Sequence, residues 1–390
     1  MFKEIGDLRH FKNFSKIILP ISAAFFIYTF GWGVVSPMFS IFVNNITQSA
    51  FLTGVILSIT TLFGVFLNIP FMVIENRLNM KRVLQIVLLA YAGFALLYPF
   101  ANSTASLVGI SIARGVASSF LWLTSWSYVF DFANKRVRGK ESGFFSSMND
   151  LASGIAPLIG GLATLVAFLF PFYILAATSL VAFIVVSLTL HKSPKIKRTP
   201  ARSQFAALLR NMKKRNFLKT MLLVVAFYAL INVFYSFIAI FLNSEGISVF
   251  YIGLILTVAL LPAVVMEVPI GNVIDKYGVR KVLSVAAVLT AATGVLFTLS
   301  SNLIYVAGFV LAFTVSYTVI FIALYSRMSD LIKSEGITLM GPIATIKDLG
   351  YTIGPLAGGW LIGVISIGPA FIATGASFLL LLPIALTLHD

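Results

Sequence analysis

The chain has no cysteine. Disulfides, thiolate metal sites and thiol nucleophiles are therefore excluded. Histidine is nearly absent too: His10, His191 and His389 all fall outside the long apolar runs. Charge is sparse, with charged residues at 11% of the chain, where soluble domains carry roughly 25%. Acidic residues are the scarcest of these, 13 against 28 Lys+Arg, for a formal net charge of +15. The chain lacks the Gly-x-x-x-x-Gly-Lys-Ser/Thr loop of a nucleotide-driven pump, and no Glu-x-x-His lies in an apolar run to bind a catalytic metal. What fills the 390 residues is hydrophobic side chain, 59% of the total, at a mean hydropathy of +0.99.

Those residues lie in runs. A helix needs roughly 20 apolar residues to cross a hydrocarbon core of about 30 Å. Twelve runs meet the requirement, at about 17–43, 50–74, 82–100, 103–131, 142–169 and 171–190, then 217–242, 249–274, 281–299, 303–328, 337–365 and 368–388. The first 16 residues are polar and basic, and the run after them is too long for a cleaved signal, so it reads as a first span. The basic residues sit on alternate connections. Lys3, Arg9, Lys12 and Lys16 precede span 1; Arg77, Lys81 and Arg82 lie between spans 2 and 3; and Lys135, Arg136, Arg138 and Lys140 lie between spans 4 and 5. Ten Lys/Arg lie between Lys192 and Lys219, Lys276, Arg280 and Lys281 follow span 8, and Arg327 and Lys333 follow span 10. The other connections hold no Lys or Arg. The positive-inside rule then places both termini in the cytoplasm and makes the span number even. The basic excess is topological, with no nucleic acid as partner. Anionic inner-leaflet lipid is a secondary partner for it.

The chain also repeats. Val268–Leu283 contains Gly271, Asp275, Lys276, Gly278, Arg280 and Lys281 in a tight charged turn. A copy lies 199 positions earlier, where Pro70, Asn76, Arg77, Asn79, Lys81 and Arg82 answer Pro269, Asp275, Lys276, Gly278, Arg280 and Lys281. Asp131 answers Asp330, and with one residue deleted Asp150, Pro157 and Gly160-Gly161 answer Asp348, Pro355 and Gly358-Gly359. Each copy holds six spans, so the repeat is parallel, about an axis along the membrane normal, an architecture of secondary transporters. The expected fold is an all-α polytopic membrane protein of two six-helix bundles, 1–190 and 217–390, joined by a basic connector at 191–216. In that connector Thr199-Pro200 has the form of a helix start. Phe205, Leu208, Leu209 and Met212 follow at amphipathic spacing, for a helix lying on the membrane surface.

With hinge, repeat and topology together, the chain resembles a twelve-span major facilitator superfamily transporter over essentially its whole length. Gly271-x-x-x-Asp275-Lys276-x-Gly278-x-Arg280-Lys281 matches the family's loop between the second and third helix of a half, and the better copy is the second. In the first, Met72 and Asn76 replace the Gly and the Asp. The resemblance implies a cytoplasmic gate, with Lys276 and Arg280 paired to Asp330, Arg77 and Lys81 to Asp131, and Asp150 and Asp348 acting in equivalent places. Gly278 and Asn79 are both expected to take the left-handed backbone of a tight turn. Ala156-Pro157-x-x-Gly160-Gly161 and Gly354-Pro355-x-x-Gly358-Gly359 resemble a motif of antiporter branches; close helix packing is the alternative reading.

Ionisable groups at membrane depth are costly and mark function by default. Arg114, near the middle of span 4, resembles the buried arginine of the family's fourth-helix motif, with Ser118 and Trp122 on the same face. In this fold spans 1, 4, 7 and 10 line the cavity, so Tyr28, Trp32, Tyr228, Asn232, Tyr235 and Tyr317 join the expected substrate-binding set. Glu267, two residues before Pro269, is the expected proton carrier; a carboxylate permanently paired near the hinge is the alternative. Lys347, with Asn149 as its mate, is a further substrate or ion-pair contact. The expectation is a non-enzymatic, monomeric plasma-membrane transporter working by alternating access, with no cofactor beyond a proton gradient, exporting a small organic or amphipathic compound. Proton-coupled uptake of a small organic anion is the alternative, and a non-transporting receptor of the same fold a third.

Overall fold

The structure, a computed structural model, describes residues 17–74, 78–134, 137–191, 201–335 and 339–388. Within these the side chains at 69, 72–74, 138, 201–202, 261–265, 267–268, 333–335 and 340 are not described. Helices dominate. The first six spans are α1 (Ile18–Thr47), α2 (Ala50–Ile74), α3 (Met80–Leu97), α4 (Thr104–Phe132), α5 (Arg138–Val166) and α6 (Phe170–Thr189). The connector carries α7 (Ala201–Met212). The second six are α8 (Arg215–Ser244), α9 (Val249–Tyr277), α10 (Val279–Leu296), α11 (Leu303–Glu335), α12 (Met340–Ile365) and α13 (Ile367–Ser377), the last extended through a 3-10 turn into α14 (Leu381–Ala385). Among the described residues ten spans are long and apolar enough to cross a membrane. The remaining two places are filled by α9 and α12, of 29 and 26 residues, or about 44 and 39 Å at 1.5 Å per residue.

The packing is duplicated along with the sequence. In the first half α1 packs on α5 and α6, α2 on α4, and α3 on α4 and α6; in the second α8 packs on α12 and α13, α9 on α11, and α10 on α11 and α13. Individual contacts repeat as well. Phe42, Tyr98 and Phe172 meet with ring centroids 5.1–6.3 Å apart. Phe241, Phe297 and Phe371, each 199 positions on, meet at 5.1–5.6 Å. Aromatic clusters of this kind contribute beyond the area they bury, so each half carries its own anchor. The halves touch through α2 against α12, through its repeat partner α5 against α9, and through α1 against α8.

Glycine makes these crossings close. A Cβ on Gly54 would strike the Pro355 carbonyl and one on Gly253 the Pro157 carbonyl, while Gly359 and Gly161 face Gly54 and Gly253 from the other side. Small residues bring helix backbones together where hydrocarbon supplies no hydrophobic drive. At the turn between α9 and α10, Gly278 has φ +82° and ψ 151°, a region open essentially to glycine. The first-half turn differs from expectation: Asn79 has φ −85° and ψ 106°. An L side chain avoids positive φ, and an extended backbone at Asn79 is enough to start α3.

The connector helix forms as its spacing predicts, with its start at Thr199-Pro200 outside the described residues. It buries Gln204, Ala207 and Asn211, with Leu208 packed on the second-half core, and leaves Phe205, Leu209 and Met212 about half exposed. It rests on α2, α8 and α12.

Candidate functional site

A cavity of about 200 Å³ opens among α5, α8, α9, α11 and α12. Four tyrosines dominate its wall: Tyr228 and Tyr235 of α8, Tyr317 of α11 and Tyr351 of α12. The Tyr235 and Tyr317 hydroxyls are hydrogen-bonded to each other. The Tyr228 ring lies 4.8 Å from that of Tyr351. Asp150 of α5 is the acidic group on the wall. Its carboxylate accepts from Ser146 one turn back, at 3.4 Å, near the limit of a useful bond. Among the described residues such a surface offers aromatic faces, phenolic donors and acceptors and one carboxyl, a combination suited to an organic molecule with a few polar groups.

Three of the residues expected to bind substrate, Tyr228, Tyr235 and Tyr317, meet here. Asn232 stands behind them, donating from Nδ2 to the Tyr351 carbonyl at 2.6 Å and so tying α8 to α12. The others lie elsewhere. Tyr28 is 6% exposed within the first-half core, its ring 4.9 Å from Tyr91 of α3. Trp122 packs edge-on to Phe25 at 5.9 Å, and Ser118 is half-buried on the same helix. Tyr351 was missed by sequence reasoning, although it follows Lys347 by one turn and so shares its face.

Arg114 has its own surroundings. It is 4% exposed, donates from Nη2 to Thr60 at 2.6 Å, and holds its guanidinium 4.4 Å from the Trp32 ring and 4.9 Å from the Phe39 ring. Its Nε makes no hydrogen bond among the described residues. The repeat explains the niche. Position 114 answers Phe313, which stacks on Phe234 at 4.2 Å and joins one continuous second-half core. In the first half, where arginine holds this place, the buried apolar residues form two clusters. Ring faces stabilise the buried cation electrostatically.

The hinge residues are partly described. Asn76, Arg77 and the Glu267 side chain lie outside the described residues. Gly271 has open space where a Cβ would stand, and Asp275 and Lys276 are exposed on the last turn of α9, the Lys276 ammonium 5.1 Å from the Tyr277 ring. Arg280 opens α10, while Asp131 and Asp330 lie in the last turns of α4 and α11. Lys81 departs from the expected pairing with Asp131. Its Nζ donates to the Ser187 and Leu190 carbonyls, each at 2.7 Å. The unsatisfied carbonyls and negative dipole end of α6 make that a favourable seat for an ammonium. Asp348 accepts from Asn68 Nδ2 at 2.7 Å, across the α2–α12 crossing. Asp150 and Asp348, expected to act alike, thus differ in surroundings: one lines the cavity and the other is held by an amide.

The family model of the Major Facilitator Superfamily matches residues 21–248 and again 220–389. The chain belongs to this superfamily. It is 22% identical over 351 residues to an uncharacterized MFS-type transporter of Methanocaldococcus jannaschii, covering 86% of this chain and 89% of the relative. It is 27% identical over 353 residues to the uncharacterized MFS-type transporter YfkF of Bacillus subtilis, covering 85% of each. Among solved structures, the nucleoside transporter NupG aligns over 95% of this chain and 98% of its own with TM-score 0.79 at 12% identity. A bacterial homolog of the human lysosomal transporter Spinster, inward-facing and unoccupied, aligns over 95% and 94% with TM-score 0.72 at 15% identity. At such identities the structures establish the fold. With the family, they make this superfamily member a multi-pass membrane protein and a secondary transporter of a small molecule, and not an enzyme.

Proposed function

We propose that this transporter exchanges protons for a small organic or amphipathic compound, exporting the compound from the cytoplasm through the plasma membrane by rocking of its two six-helix halves. The observation that carries this reading is the tyrosine-walled cavity with Asp150 on its surface. Aromatic walls accommodate varied organic groups, and a carboxyl at membrane depth is a natural proton relay. Glu267 on α9 is the second proton-binding group in the reading. Both termini face the cytoplasm, in keeping with the alternation of Lys and Arg along the loops.

A second reading, proton-coupled uptake of a small organic anion, is favoured by Arg114, whose Nε has no hydrogen-bond partner among the described residues. Purified protein in liposomes with an imposed pH gradient, offered a panel of labelled nucleosides, organic cations and organic anions, separates the two. Export of neutral or cationic aromatic compounds against the proton gradient, weakened at least tenfold in Tyr317→Ala, supports the first. Anion uptake lost in Arg114→Ala but kept in Tyr317→Ala supports the second. Transport indifferent to the gradient rejects both.

A further inference from the structure

The connector helix α7 reverses the usual arrangement of an amphipathic helix, which turns its large apolar residues toward the protein it packs against. The face of α7 that meets the protein carries Gln204, Ala207 and Asn211, with Leu208 at its edge. Asn211 donates from Nδ2 to the Ala207 carbonyl of its own helix at 3.0 Å, and its Oδ1 has no hydrogen-bond partner among the described residues. The larger side chains point elsewhere. Phe205, Leu209 and Met212 recur at i, i+4 and i+7, about a third of a turn around from the buried face. They are 53%, 52% and 43% exposed. Single exposed apolar residues are ordinary. Three in one stripe on a helix of 12 residues are not, because a helix this short draws its stability from what its apolar face meets.

The charge around the stripe identifies what covers it. No Asp or Glu occurs between Asp150 and Glu245, while ten Lys/Arg lie between Lys192 and Lys219. Met212, at the end of the stripe, is followed directly by Lys213, Lys214 and Arg215, all exposed. The turn they form is tight. The Lys214 amide donates to the Asn211 carbonyl at 2.8 Å, and α8 starts at Arg215 with no acidic residue in its first turn. Arg210, also exposed, lies about 100° around from Leu209 and off the stripe. Since α8 is itself a membrane span, the short turn holds α7 at headgroup level. An apolar stripe that runs into a cluster of fixed cations matches a molecule with hydrocarbon at one end and negative charge at the other. A soluble acidic partner would satisfy the cations and leave the stripe in water.

We infer that α7 is a docking site for anionic phospholipid of the leaflet on the side of the basic loops. Acyl chains cover Phe205, Leu209 and Met212, and phosphate headgroups meet Lys213 and Arg215. In such helices apolar burial and attraction to anionic headgroups act together, and basic clusters beside a span favour acidic lipid. The site bears on both halves. α7 rests on α2 of the first half and on α8 and α12 of the second, beside the α2–α12 crossing rather than the α5–α9 crossing. The α2–α12 crossing is also fastened from within: Asn68 donates to Asp348 at 2.7 Å, and the Thr352 hydroxyl donates to Thr61 at 3.1 Å. Lipid held by α7 adds a fastening from the membrane side.

Neither the direction of transport nor its coupling enters the test. The full chain is placed in nanodiscs of phosphatidylcholine, alone or mixed with phosphatidylglycerol. Because the chain has no cysteine, single spin labels at Leu209→Cys and Arg210→Cys can be read for collision with oxygen, which enters hydrocarbon, and with a water-soluble nickel chelate. With phosphatidylglycerol present, oxygen is expected to exceed the chelate at position 209 and to fall below it at position 210. The excess at 209 should be lost in phosphatidylcholine alone, and in Lys213→Gln combined with Arg215→Gln. Native mass spectrometry should find phosphatidylglycerol retained about tenfold over phosphatidylcholine. That preference should vanish in the same double variant and weaken in Phe205→Ser combined with Leu209→Ser. An equal oxygen excess at 209 in both lipids overturns the inference, as does a phosphatidylglycerol preference unchanged in both double variants. Shielding of position 210 by polyaspartate, with no response to phosphatidylglycerol at 209, would assign the basic cluster to a soluble acidic partner and overturn it as well.

Discussion

Arg114 and Phe313 occupy one place in two copies of the same bundle, and the contrast sets what each variant at the site should do. Thr60→Val removes the hydrogen bond to the guanidinium; bonds to charged groups contribute about 1.5–3 kcal/mol, so a drop of several degrees in Tm is expected by thermal-shift measurement in detergent. Arg114→Phe copies the second half. Exchanging a buried charge for a fitted apolar side chain is often neutral or stabilising, so Tm should hold or rise while transport of an anionic substrate disappears. Loss of both stability and transport would show instead that the cation–ring contacts organise the first half. That Arg114 lies at membrane depth is legible from the run around it. That Trp32 and Phe39 hold it is not, since those rings come from another helix and could equally have faced the cavity.

Two glycine positions test how the helices are joined and crossed. Gly278 has φ +82° between α9 and α10, and Asn79 has φ −85° between the extended backbone and α3. Gly278→Ala forces an L side chain into a costly backbone region, at about 1–3 kcal/mol. Asn79→Ala, whose side chain makes no cap bond, should stay within about 0.5 kcal/mol. Denaturation of the two variants side by side checks the asymmetry. Gly253→Val places a branched side chain against the Pro157 carbonyl and is expected to destabilise by about 1–3 kcal/mol through overpacking, read by the same denaturation measurement. The helix boundaries followed apolar length closely because each span must satisfy its backbone within itself. The turn at Asn79 did not, because two backbone geometries connect antiparallel spans equally well.

For the molecule as a whole, orientation is the first thing to establish. A membrane-impermeant maleimide applied to intact cells should label Ser301→Cys, on a loop without Lys or Arg, and should label Arg82→Cys only after permeabilisation. Labelling in the opposite order would invert the topology and with it the direction assigned to the pump. The background is clean, since the chain has no cysteine of its own. The asymmetry between the crossings also belongs to this level. One side holds an amide–carboxylate bond and the connector helix, and the other borders the cavity, so motion on rocking is expected to be larger on the α5–α9 side.

Twelve apolar runs, alternating loop charge and a repeat of 199 positions were enough to settle the membrane class, the two six-helix halves and the family resemblance, because spanning a bilayer is a local constraint met one segment at a time. Choosing which aromatic residues face a cavity is not local. Tyr28 and Tyr228 sit on corresponding helices, yet one packs on Tyr91 in a core and the other lines the cavity. In the repeat Tyr28 answers Phe227 and Thr29 answers Tyr228, so the two tyrosines stand one position apart, about 100° around the helix, and what each face then meets is set by neighbours distant in the chain. Asp150 and Asp348 are likewise equal in the repeat and unlike in the fold, because Asp348 accepts from Asn68 of the other half while Asp150 accepts from Ser146 of its own helix.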